Sequence, residues 1–124
     1  MTITLNHALI PARDHLAAAD FLASVLDLPR LPPDGQGGHF APVRVNDTLT
    51  LEFVADERPA AQHLAFDVDP ETFDGILARL TAAGVPFGDD PSDPANGSTA
   101  HPLCARGLYF VDPDGHLWEV MSPA

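Results

Sequence analysis

Residues 107–124 read GLYFVDPDGHLWEVMSPA. Two apolar, aromatic-rich runs, GLYFV and HLWEVM, flank Asp112-Pro113-Asp114-Gly115. In that tetrapeptide the proline presets φ at the second turn position and the glycine accepts a positive φ, so the stretch predicts a pair of antiparallel strands joined by a tight turn. One residue resists this reading. Glu119, between Trp118 and Val120, puts a carboxylate inside a strand pattern, where a buried charge needs a partner. A bound cation would supply one.

Outward from this hairpin, the chain reads as one plan written twice. NHALIPARDHLAAADFLASVLDLP, beginning at Asn6, and QHLAFDVDPETFDGILARLTAAGVP, beginning at Gln62, each place a His second in a short strand pattern. Each then continues with Asp, a helix, and Leu-Pro or Val-Pro. The second helix has Asp69 as N-cap, Pro70 at its first position, Glu71 in its first turn and Gly84 past its end. Its apolar residues Phe73, Ile76, Leu77 and Leu80 share one face. The first helix, from about His15 to Leu26, is capped by Asp14 and carries Phe21, Leu22, Val25 and Leu26 on one side. Strand signals follow each helix: HFAPVRV and TLTLEFVA in the first half, GLYFV and HLWEVM in the second. The predicted fold is α+β: a single domain over 1–124 made of two modules, about 1–55 and 62–124, with ADERPAAQ between them. FGDDPSDPANGSTAHPLCARG is long for a loop in so small a domain, so it reads as a binding loop or as a concealed short strand.

Alternation assigns the faces. In QHLAFDV, Leu64, Phe66 and Val68 suit the helix side, which leaves His63, Ala65 and Asp67 on the other. In TLTLEFV, Leu49, Leu51 and Phe53 go together, opposite Thr50 and Glu52. In HLWEVM, Glu119 is opposed to Trp118 and Val120. Around His7, in ITLNHALI, apolar residues occupy both sides and the parity is open. Taken alone, each of these four residues has an ordinary explanation as a solvated His or an ion-paired Glu. Together they recur: one His in the first strand of each half and one Glu in its last. If the open faces meet in a cleft, two imidazoles and two carboxylates form a site for a divalent metal of the Zn, Ni, Fe(II) or Mn kind. Arg106 and Tyr109, before and within GLYFV, are candidates for orienting a substrate, with surface charge and packing as their alternatives.

Composition narrows the function. At 124 residues and 45% hydrophobic content the chain can bury one core. Eighteen acidic against six basic residues give a net charge of −12, which opposes binding to nucleic acid or an anionic membrane. All six basic residues are arginine, so there is no lysine for a Schiff base or a Walker-type phosphate loop. None of the four serines lies in G-x-S-x-G. The single Cys104 excludes a disulfide or a Cys-rich zinc cluster within one chain. Without a long apolar run or a leader-like start, the chain is expected to be soluble and cytoplasmic. DPDGHLWE is not an EF-hand loop, because only three residues separate Gly115 from Glu119 where that loop has five. His116 reads as a hairpin residue and His15 as an exposed helix residue. His39 and His101 lie in or beside Gly- and Pro-rich loops, from which either could reach a cleft.

With these positions fixed, the sequence from NHALIPARD through QHLAFDVDPETFDGILARLTAAGVPF to GLYFVDPDGHLWEV resembles the vicinal oxygen chelate superfamily, which embraces glyoxalases, bleomycin-resistance proteins and dioxygenases. The resemblance implies paired βαβββ modules in a curved mixed sheet around a cleft, a homodimer, and a divalent metal that chelates adjacent oxygens of a small-molecule substrate. It implies His7, His63 and Glu119 as metal ligands, and Glu52 as the fourth ligand of glyoxalase I-like members. Glu119 or Glu52 would also act as the catalytic carboxylate, in a lyase, isomerase or dioxygenase reaction. Pro11 stands where small bacterial glyoxalases carry a glutathione-holding arginine, and the lysine of fosfomycin-modifying relatives is missing. The other reading within the family is a non-catalytic, bleomycin-resistance-like protein that sequesters a cationic small molecule.

Overall fold

A computed structural model describes residues 2–123, which divide between Ala60 and Ala61 into two compact units. The first contains β1 (His7–Ala12), α1 (His15–Leu26), a 3₁₀ turn (Gln36–Gly38), β2 (Phe40–Arg44) and β3 (Thr50–Ala55). The second contains β4 (His63–Asp67), α2 (Pro70–Ala82), β5 (Arg106–Val111) and β6 (Leu117–Ser122). Both helices start where their caps predict: Asp14 accepts from the Ala17 N–H at 3.1 Å and Asp69 from the Thr72 N–H at 2.7 Å.

Each unit is a three-stranded mixed sheet, ordered β1-β3-β2 in the first and β4-β6-β5 in the second. The central strand pairs in parallel with the strand before the helix and antiparallel with the strand after it. Among the described residues the expected fourth strand of each module is reduced to isolated bridges: Arg30 with Val43 and Asp34 with Phe40 in the first unit, Gly88 with Tyr109 in the second. Proline at 29, 32 and 33, and at 86, 91 and 94, removes N–H donors beside those bridges, so none extends into a ladder. The long stretch after α2 carries a strand-like contact at Gly88 and then turns, a trace of the concealed strand.

Alternation sorts the side chains as expected. In the first unit Ile10, Ala12, Leu51, Phe53, Ala41 and Val43 are buried together with Leu22, Val25 and Leu26 of α1. In the second, Leu108, Phe110, Trp118 and Val120 are buried with Phe73, Ile76 and Leu80 of α2. The open parity of β1 resolves with Ile10 and Ala12 inward, so His7 and Leu9 lie on the other face. Trp118 is fully buried and stacks on Phe66 at a centroid distance of 6.0 Å.

The 112–115 turn is as read, with Gly115 at φ +84 and its N–H bonded to the Asp112 carbonyl at 3.0 Å. His116 differs from its expectation as a simple hairpin residue. It is fully buried, and its Nδ1 accepts from the Gln62 N–H at 3.0 Å, tying the start of β4 to β6. Among the described residues no helix is long and apolar enough to cross a membrane.

Candidate functional site

The two units place their His and Glu in the same register. In β1/β3, His7 pairs with Thr50 and Glu52 lies two residues further along the central strand. In β4/β6, His63 pairs with Leu117 and Glu119 lies two residues further along. Because directly paired residues point to one side of a sheet, each His and its Glu are diagonal neighbours on the face turned away from the helix.

In the second unit these side chains touch. His63 Nε2 is 2.9 Å from Glu119 Oε1, with the imidazole 48% exposed and the glutamate side chain 9% exposed. The other oxygen, Oε2, is 2.6 Å from Nε2 of His101, whose side chain is 1% exposed. Tyr109, opposite Glu119 in the β5/β6 register, has its hydroxyl 3.3 Å from the same nitrogen. Burial raises the Tyr109 pKa above the ordinary phenol value, and the nearby Glu119 charge and a hydrogen bond to Glu119 raise it further. Tyr109 thus keeps its proton and can donate it in a hydrogen bond.

In the first unit His7, Leu9, Asp34, Phe40 and Glu52 line a cavity of about 440 Å³ together with Asn6 and others. His7 Nδ1 is 2.9 Å from the Asn6 side-chain oxygen and so donates there, which leaves the lone pair on Nε2. Glu52 Oε2 is buried without a hydrogen-bond partner. Its pKa is raised, first by burial, then by the Asp34 carboxylate, against the opposing influence of His7 and with a hydrogen bond to Asp34 adding to the rise. Asp34 is held by reciprocal main-chain bonds with Phe40 at 3.0 and 3.1 Å, which close the 34–40 loop. Nothing in the spacing of the sequence marked Asp34 as a pocket residue.

Each unit offers donors of the type a divalent cation takes: in the first, the buried Glu52 oxygen without a hydrogen-bond partner and the His7 imidazole with its lone pair on Nε2; in the second, the paired His63 Nε2 and Glu119 Oε1. Among the described residues no group of three or more His, Cys, Asp or Glu side chains is arranged to hold an ion by itself.

The remaining expectations are placed as follows. Arg106 does not reach the Glu119 cluster: its NH1 donates to Asp74 at 2.7 Å, its NH2 to the Pro70 carbonyl at 3.2 Å, and its guanidinium lies 4.4 Å from the Phe73 ring centroid. It is one residue out of phase with Gly107 and Tyr109, so it faces α2. Tyr109 is in the cluster. His101 is the functional residue that strand parity could not find, since it lies outside any strand. His39 is turned to the Gln36 carbonyl at 2.7 Å, and its ring lies 4.0 Å from that of Phe40 at a tilt of 40°.

A family model of the Glyoxalase/Bleomycin resistance protein/Dioxygenase superfamily matches residues 4–120. The chain belongs to that superfamily. Among solved structures, it is similar to "Oxidase ChaP-H2", with 35% identity, all of this chain and 96% of that one covered, and a TM-score of 0.91. It is similar also to "Oxidase ChaP-H1", with 31% identity, 99% and 98% covered, and a TM-score of 0.83. The antibiotic-binding protein TnmS3 from Streptomyces sp. CB03234 shares the fold at 22% identity and a TM-score of 0.73, with 100% of this chain and 99% of that one covered. Proteins named as oxidases and as an antibiotic binder thus share this fold, and fold alone does not choose between them.

Proposed function

We propose that this protein is a metal-dependent enzyme of the glyoxalase/dioxygenase type. Its ligand set is His7 and Glu52 of one unit with His63 and Glu119 of the other, the two units coming from one chain or from the two chains of a homodimer. The observation that carries the reading is the repeated register: in both sheets a His and a Glu stand in the same diagonal relation on the face away from the helix. Zn, Ni, Fe(II) and Mn all accept such imidazole and carboxylate donors. When bound, the ion supplies Lewis acidity toward two adjacent oxygens of a small substrate.

The chain's own groups do the rest. His63 and Glu119 hold each other's coordinating atoms in place through a hydrogen bond, and both atoms would serve an ion bound there. Tyr109, its proton retained by burial and by the Glu119 charge, orients a substrate oxygen by donating to it. Apolar Leu9 and aromatic Phe40 wall the first-unit cavity, and Asp34 and Glu52 give it hydrogen-bond acceptors. Among the described residues the carboxyls lining that cavity are Asp34 and Glu52, which disfavours an anionic substrate there. Similarity above 30% identity to two proteins named as oxidases supports an oxidation over a glutathione-dependent lyase reaction.

The test is metal content after purification without a metal-binding tag. Stoichiometric metal, lost in His63→Ala and in His7→Ala, is expected, followed by oxygen uptake with a catechol under Fe(II). A metal-free protein that binds a cationic glycopeptide tightly would instead establish the sequestering binder that the charge of −12 also suits.

A further inference from the structure

His101 makes more directed contacts than a packing residue requires. Its main-chain N–H bonds the Thr99 carbonyl at 2.9 Å, and the Gly107 N–H bonds the same carbonyl at 3.0 Å, so the loop is pinned to the start of β5. The Leu103 N–H donates to Nδ1 of the ring at 3.1 Å. An imidazole nitrogen that accepts carries no proton, so in the neutral ring the proton is on Nε2. That N–H lies 2.6 Å from Glu119 Oε2 and must donate to it. The hydroxyl of Tyr109, 3.3 Å away, then accepts a weaker share of the same proton and turns its own toward the glutamate.

The ring reaches this place because β5 has no side chain beneath it. A Cβ built on Gly107 would lie 2.7 Å from His101 Cβ and 2.8 Å from both Cγ and Cδ2. Such distances are well inside van der Waals contact, and the crowded atoms are the root of the ring, with no rotamer to escape into. Gly107 has no positive φ that would otherwise call for glycine. Its role is the space.

We propose that His101 is the positioning residue of Glu119, with Leu103's main chain fixing its tautomer and Gly107 leaving the room for it. One carboxylate oxygen is thereby tied down, and Oε1, which faces His63, is the oxygen left for a ligand. The proposal rests on the metal reading only for that last consequence, because the tautomer and the cradle exist without metal.

Two measurements separate these parts. In the metal-free protein, long-range ¹H–¹⁵N correlation of the imidazoles at about pH 8, above the ordinary imidazole range, is expected to show His101 as the Nε2–H tautomer. Leu103→Pro, at an exposed side chain, removes the N–H that enforces it and is expected to mix the two tautomers. An Nδ1–H or doubly protonated ring in the wild type overturns the proposal even if the protein binds metal. Cobalt(II) titration followed by absorbance then reads the consequence. His101→Ala and Gly107→Ala are each expected to weaken cobalt affinity about 10- to 100-fold while leaving the apo unfolding midpoint of at least one variant near wild type. Unchanged affinity in a folded Gly107→Ala variant whose His101 resonance has shifted would sink the positioning role. Absence of cobalt binding in the wild type would sink the metal reading alone.

Discussion

Replacing Asp112 tests whether the hairpin that carries Glu119 is held by one side chain. Asp112 is 6% exposed and accepts three hydrogen bonds: from the Asp114 N–H at 2.9 Å, the His116 N–H at 3.0 Å and Trp118 Nε1 at 3.0 Å. A hydrogen bond to a charged acceptor contributes about 1.5–3 kcal/mol, and a buried donor left alone costs about 1–3 kcal/mol. Asp114 is only half-buried and can turn to water, but Trp118 and His116 are fully buried. Asp112→Ala is therefore expected to cost about 3–4 kcal/mol, from two stranded donors with partial relaxation. Asp112→Asn keeps one carbonyl oxygen for the main-chain donors but turns an amide toward Trp118 Nε1, so about half that loss follows. Urea unfolding watched through Trp118, the sole tryptophan, reads both as shifts in midpoint, roughly 2 M for the alanine variant. A loss below about 1 kcal/mol for Asp112→Ala would refute the reasoning, since it would mean that the Trp118 donor is satisfied without the carboxylate.

Other outcomes follow from the first unit and from the ligand set. Because the folded-state pKa of Glu52 is raised, its neutral form favours folding at pH below the ordinary carboxyl range, and that contribution is lost as pH rises through the elevated value. Glu52→Gln should accordingly stabilise the metal-free protein at neutral pH, with the gain over wild type shrinking to nothing in acid; an equal gain at all pH values would contradict this. Asp34→Asn removes the charge that follows burial among the causes of that shift, so the benefit of Glu52→Gln measured in its background should be smaller. If ligands come from different chains of a homodimer, mixing His7→Ala with His63→Ala protein should restore one metal site in each mixed dimer, measurable by metal content after desalting. No recovery despite subunit exchange would place all four ligands on one chain.

The strands and helices were legible because their physics is local. Asp14 and Asp69 cap helices whose buried faces repeat at 3.6 residues, and the period of two in TLTLEFV and HLWEVM separates Glu52 and Glu119 from their core-facing neighbours. Asp34 was not legible as a pocket residue, and His101 was legible only as one of two loop histidines able to reach a cleft. Each lies where no period operates, and each is brought to its place by main-chain bonds between distant segments: Gly107 to Thr99, and Asp34 to Phe40. Arg106 illustrates the complementary failure. It adjoins the cluster in sequence, but one residue of phase turns it to the helix, where Asp74 holds it. Its distance from Tyr109 along the chain was no guide to its side of the sheet.

Phase also explains why the His and Glu pairs are tied to folding itself. The alternation that buries Leu51 and Phe53 under α1 sends Glu52 to the other face, and the alternation that buries Trp118 and Val120 under α2 does the same for Glu119. A slip of one residue in either central strand would expose two large apolar side chains, at about 1.5–3 kcal/mol each, while burying the carboxylate against a helix. The core therefore disfavours each one-residue slip, which would turn a Glu away from the face of its His, and it does so independently in each unit. A single such pair is common in sheets and needs no ligand. Here each unit sets its own pair by the same register, the second with its glutamate held by His101 and the first with an oxygen of Glu52 that no donor among the described residues satisfies.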